Sequence, residues 1–143
     1  MKTNWIYFGV FLHEQSTEFL KKMTLQLLES DFKYLTKDCD WKLYCHHMTI
    51  AYNNHTHEAI SLYQQYEKLF GCDIQLTATH IGISNDALAI KIDYDGESLN
   101  KIPHITLATP ISGRPVNSNN ISSWKKLSTP IKLEGYFSQF LKH

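Results

Sequence analysis

The chain predicts a single α+β domain of two half-related lobes, and three observations carry that expectation. Its 143 residues, 43% of them apolar, suit one domain with one core. Runs of strand composition alternate with two segments of helical apolar spacing. Finally, two five-residue strings share a pattern: His47-Met48-Thr49-Ile50-Ala51 and His104-Ile105-Thr106-Leu107-Ala108. The repeat suggests that each lobe gives one motif strand to a common groove.

Taken in order, Trp5–Leu12 is rich in β-formers and reads as a central strand. Alternation turns Ile6, Phe8, Val10 and Leu12 toward a helix layer and Trp5, Tyr7, Gly9 and Phe11 to the other side. Ser16 is the expected N-cap of a helix running to about Ser30, with Phe19, Leu20, Met23, Leu27 and Leu28 at helical spacing. Residues 31–42 form a mixed connector, and Leu43–Tyr52 is the first motif strand. A second helix spans about Thr56–Phe70, and Gly71 stops it. Asp73–Ser84 and Ala87–Tyr94 read as a hairpin joined by Asn85-Asp86. Pro103–Thr109 is the second motif strand and residues 110–120 a polar loop. Ile121–Leu127 is at most a short helix, and Ile131–Leu141 closes the chain as a strand.

No stretch approaches the roughly 18–20 apolar residues of a membrane span. The start, Met1-Lys2-Thr3-Asn4-Trp5, runs into a strand-like segment rather than a signal peptide. Three widely spaced cysteines, Cys39, Cys45 and Cys72, point to a reduced, cytoplasmic compartment. Net charge is zero, but unevenly spread. From Ser98 onward there are six Lys/Arg and one acid, whereas the first 97 residues carry eight basic and thirteen acidic side chains. A long nucleic acid usually demands a basic face; a short RNA end or a small nucleotide does not.

The motif pair is where chemistry is expected. On a strand, residues i and i+2 share a face, so each string presents an imidazole and a hydroxyl together. Two such strands side by side put His47, Thr49, His104 and Thr106 around one small volume. One imidazole then removes a proton and the other donates one near neutral pH, while the hydroxyls hold non-bridging phosphate oxygens. Tyr7 and Phe11 fall on the groove face of the first strand, where an aromatic ring stacks on a base. Lys91 and Arg114 are candidates to reach phosphate. His46 should point away from His47, as its chain neighbour. Cys45 shares parity with His47, though a small buried residue is the simpler reading. His55 and His57 read as solvated, and the role of His80 stays open. Neither Cys-x-x-Cys nor His-Glu-x-x-His spacing is present, so no metal or other cofactor is expected.

His47-Met48-Thr49-Ile50 and His104-Ile105-Thr106-Leu107 resemble the paired His-x-Thr-x signatures of the 2H phosphoesterase superfamily. Trp41–Thr49, His80–Ser84 and Gly113–Asn119 add a look of the cyclic phosphodiesterase module of fungal-type tRNA ligases. The resemblance implies a bilobal α+β fold in which two antiparallel sheets form a concave groove with helices outside. It also implies metal-independent hydrolysis of 2′,3′-cyclic phosphate ends of RNA or nucleotides to 2′-phosphates, with His47 and His104 as the acid/base pair. The 57-residue separation of the two histidines is short for the superfamily and leaves little room for lid insertions.

The expectation is therefore a monomeric hydrolase acting on an RNA 3′ end or a small nucleotide, away from membranes. A 2H enzyme degrading a signalling nucleotide, such as 2′-5′ oligoadenylate or a cyclic oligonucleotide, keeps the same site. A non-enzymatic nucleotide-binding module is the third reading. Which histidine is acid and which is base is not written in the sequence.

Overall fold

Among the described residues, alternating apolar residues produce seven strands, all paired antiparallel: β1 (Trp5–Leu12), β2 (Trp41–Leu43), β3 (His47–Tyr52), β4 (Asp73–Ser84), β5 (Ala87–Ile92), β6 (His104–Pro110) and β7 (Ser123–Leu141). Two α-helices, α1 (Glu14–Glu29) and α2 (His57–Glu67), and 3-10 turns at Lys33–Thr36 and Pro115–Asn120 make up the other elements among the described residues. The structure, a computed structural model, describes residues 4–142. The reading of Met1-Lys2-Thr3 as a start without a signal peptide concerns residues outside that range.

The α+β, two-sheet, two-lobe architecture expected from the sequence is not what forms; the chain is mostly strand. The strands make one continuous sheet in the order β2-β6-β3-β1-β7-β4-β5, and β5 pairs again with β6. Six antiparallel strands thus close into a barrel, and β2 continues beside the end of β6. The physical reason lies in β6. One of its edges meets β3 at Met48↔Ile105, and the other runs along β5 from Leu88↔Ala108 to Lys91↔His104. A strand shared in this way joins what would have been two sheets, and closure removes open edges. Local alternation reports which face of a strand is buried but not which strand lies beside it.

Every strand of the ring turns one face to a single apolar core. Phe8, Val10, Met48, Ile50, Leu88, Ile90, Ile105, Leu107 and Leu133 lie there, all fully buried. Leu20 and Leu28 of α1 and Ala59, Leu62, Tyr63 and Tyr66 of α2 pack against the same cluster. The opposite face carries the motif residues.

Several local expectations change. α1 begins at Glu14 with His13 at its N-cap, and Ser16 sits buried within the helix. Its Oγ accepts a hydrogen bond from the Glu134 backbone N–H, so tertiary bonding outweighs its capping preference. Trp5 is 3% exposed and stacks on Tyr63, while Ile6 is 38% exposed. A register shift between Trp5 and Tyr7 against β7 inverts the expected alternation there. The expected strand Leu43–Tyr52 is kinked at Cys45, whose φ is 60°. Pairing continues through the kink as Tyr44 N–H and Cys45 N–H donate to the Leu107 and Thr106 carbonyls. The segment 121–127 is not helical; from Ser123 it is the start of β7, recruited by β4 through pairs such as Gly82↔Trp124. The strand expected over Asp73–Ser84 forms with those bounds, and the second helix runs His57–Glu67, with Thr56 as its N-cap, its Oγ1 accepting from Ala59 N–H.

Candidate functional site

The β3–β1 contact sets the site. Gly9 lies against β3 so closely that a Cβ there would stand 2.0 Å from the Met48 carbonyl oxygen. With no side chain at Gly9, Tyr7 and Phe11 flank a gap that the neighbouring β3 fills with His47. The imidazole stacks on Tyr7 at 4.8 Å and on Phe11 at 5.5 Å between ring centroids. The aromatic pair expected to meet a base therefore walls in His47. Phe140 and Tyr52 extend this surface, packing on Tyr7 at 5.2 Å and 5.5 Å.

β6 supplies the second half. Ile105 and Leu107 go to the core, which leaves His104 and Thr106 on the opposite face. His47, Thr49, His104 and Thr106 line one narrow cleft with Tyr52 and Asn100, and Pro115, Val116 and Asn119 of the 3-10 turn form its far wall. The four motif residues expected to meet do meet. The cleft holds only about 20 Å³, room for a single water-sized group.

Hydrogen bonds orient both imidazoles. His104 Nδ1–H donates to the Ile102 carbonyl at 2.7 Å, which leaves Nε2 as the nitrogen available to the cleft. His47 Nδ1 lies 2.5 Å from Nδ1 of His46, and the two rings stack at 4.6 Å. His46 thus belongs to the site, against the expectation that it points away. The left-handed backbone at Cys45 breaks strand alternation one residue before His46, and nothing in the local sequence marks that break. Cys45 itself is fully buried, with Sγ against Thr24 Oγ1 and the Leu107 carbonyl. Burial pushes its thiol up to about 11, so it is an inert packing group and not a groove residue.

The electrostatics separate the two histidines. Burial, then His46, then His104 push His47 down to about 3 from an ordinary 6.5, so it is neutral at physiological pH. Burial also lowers His104, but its bond to the Ile102 carbonyl acts in the opposite direction and favours the charged form. His46 is lowered by burial and by Lys21.

The hydroxyls differ as well. Thr49 Oγ1 lines the cleft with no hydrogen-bond partner among the described residues, while its backbone carbonyl accepts from Asn100 Nδ2 at 2.9 Å. Thr106 Oγ1 is 3.2 Å from the Pro115 carbonyl, to which it donates, and 2.8 Å from Ser118 Oγ. It latches the 3-10 turn over the cleft. Lys91 stands opposite His104 in the β5–β6 register and opposite His80 in the β4–β5 register, so these three share a face. Arg114 is the exposed N-cap of the 3-10 turn and lies outside the cleft. Asn100 and Asn119 escaped sequence reasoning, since both sit in irregular segments that tertiary structure alone brings to the motifs.

Among the described residues no group of three His, Cys, Asp or Glu side chains is arranged to hold a metal ion, and no helix is long and apolar enough to cross a membrane. No protein-family model matches the chain, and no curated protein matches it.

Proposed function

We propose that the protein is a phosphodiesterase of the 2H type that hydrolyses 2′,3′-cyclic phosphate ends of RNA or nucleotides to 2′-phosphates without a metal. The observation that carries this reading is the convergence of His47 and His104 on one cleft with Thr49 and Thr106 beside them. A neutral imidazole at His47, a second imidazole at His104 whose Nε2 is free of the Ile102 bond, and a free hydroxyl at Thr49 suit in-line displacement at phosphorus.

His47 is the base and His104 the acid. His47 Nε2 takes a proton from water as the water oxygen bonds to phosphorus. The bond from phosphorus to the ribose O3′ breaks, and protonated His104 gives its Nε2 proton to that oxygen. His47 ends protonated and His104 neutral, and exchange with solvent restores both. His104 suits the acid role because the Ile102 carbonyl favours its imidazolium form. His47 suits the base role because its surroundings keep it unprotonated. Thr49 Oγ1–H donates to a non-bridging oxygen. A bound dianionic transition state favours protonation at His104.

The test is a panel of nucleoside 2′,3′-cyclic phosphates, 2′-5′ dinucleotides and cyclic dinucleotides assayed with EDTA present. Turnover of the cyclic phosphates to 2′-phosphates is the expected result. Turnover confined to the dinucleotides would move the activity to signalling nucleotides, and activity abolished by EDTA would point to a metal-bound hydroxide. No turnover of any member would leave a binding module.

A further inference from the structure

Beside the cleft lies a second cavity of about 290 Å³, which His104 borders and His47 does not. His104, Asn100 and Asn119 line both spaces, so the two lie side by side. The larger one is walled by the Trp124 indole with Leu99 and Ile102, and Lys101 stands at its side. We propose that this cavity is a nucleobase subsite, in which the base of the nucleotide carrying the reacting phosphate stacks on Trp124. The proposal rests on the phosphodiesterase reading for the identity of the phosphate, and on the cavity's own geometry for the base.

Three features support it. The indole lies against the bare backbone of β4: a Cβ at Gly82 would meet the ring at 2.5 Å. Its Nε1–H donates to the Ile121 carbonyl, and Ala87, Ala89 and Ile121 pack beneath it. A rigid aromatic surface binds a base at little entropic cost, and Ala87, Ala89 and Gly82 are small residues that make room for it. Second, the volume is near the roughly 300 Å³ lower end of small-ligand sites, enough for one nucleoside and not for several. Third, the polar groups suit a base and its phosphate. The Asn119 side-chain amide has no partner among the described residues and offers both a donor and an acceptor. Asn100 spends its Nδ2 on Thr49 and keeps its Oδ1. Lys101 adds a cation to the cavity's lining.

Calorimetric affinities for adenosine 2′-phosphate and for ribose 2-phosphate, which lacks the base, test this directly. In the unsubstituted protein the nucleotide should bind about tenfold tighter or more, the usual worth of one stacked base. In Trp124→Leu, checked for folding by circular dichroism, that preference should shrink to about threefold or less. Equal affinity for the two ligands in the unsubstituted protein, or a full preference surviving in Trp124→Leu, would overturn the subsite. Should Trp124→Leu fail to fold, the indole N–H resonance of Trp124 in the unsubstituted protein decides. It should move on adding adenosine 2′-phosphate and stay in place on adding ribose 2-phosphate; a resonance indifferent to the base overturns the proposal. These are binding measurements, so they stand apart from turnover. Base-dependent binding with no hydrolysis in the EDTA panel would overturn the phosphodiesterase reading alone.

Discussion

His46 and His47 face each other through Nδ1, and only one of the two nitrogens can carry the proton between them. For His47 Nε2 to act as a base, its Nδ1–H must donate to His46, which makes His46 a positioning residue for the tautomer of His47. His46→Ala should lower kcat and shift the acid limb of the pH–rate profile. A merely structural role would leave that limb in place. Replacing His47 or His104 by Ala should cost about 10²–10⁴ in rate, with circular dichroism unchanged because both sit on the cleft and not in the core. Near-normal turnover in either variant would remove the acid/base assignment. The pH profile follows from the same side chains. The free protein needs His47 neutral, which holds above about 3, and His104 protonated, which is lost above a value lowered from 6.5. A bell of kcat/KM centred on the acid side of 6.5 is therefore expected, falling through neutrality; a rate still climbing at pH 9 would contradict it.

Strand β1 works through an omission. Gly9 lets β3 press in, and that approach places His47 between Tyr7 and Phe11. Gly9→Ala forces a methyl group onto the Met48 carbonyl, so the variant should lose about 2 kcal/mol or more in chemical denaturation, at the upper part of the overpacking range. An unchanged midpoint would mean that β1 and β3 can separate freely. The turn Pro115–Asn120 is held by Thr106 and Ser118. Ser118→Ala removes one of these bonds and should speed amide hydrogen exchange across 115–120 relative to the β6 core. Equal protection in the variant would show that Ser118 does not hold the turn.

Closing the sheet through β5 and β6 shapes the behaviour of the whole molecule. It leaves one narrow cleft and one adjoining cavity at the motifs instead of a long open groove. With no net charge and a modest cationic excess after Ser98, few backbone phosphates can be engaged. The KM for a nucleoside 2′,3′-cyclic phosphate should lie within about an order of magnitude of that for a ten-nucleotide RNA with the same end, at low and at moderate salt. A large preference for the RNA that collapses with salt would reveal an extended phosphate-tracking surface. Global stability should also respond to acid. His47 and His104 titrate lower in the folded chain than the ordinary 6.5, so the unfolded chain binds more protons as pH falls below 6.5. Their contribution is fully present above 6.5 and is lost on acidification toward 3. A His47→Gln variant should show a shallower decline in thermal midpoint over that window.

The motif strands, both helices and the β4–β5 hairpin could be read from the chain because they depend on local periodicity and turn chemistry. The side-chain alternation of a strand places His47 with Thr49, and His104 with Thr106, whatever lies alongside. Other features depend on residues far apart in sequence meeting. Ring closure follows from β6 serving two neighbours, and the start of β7 is strand because β4 offers it an edge. His46 reaches the site because a left-handed kink at Cys45 is locked by Thr24 and Leu107. The burial that keeps His47 neutral involves Tyr7 and Phe11, which stack on it from a strand some forty positions earlier. Local pattern is encoded within a few residues, whereas strand partners, desolvation and the walls of a cavity exist once the whole chain has packed.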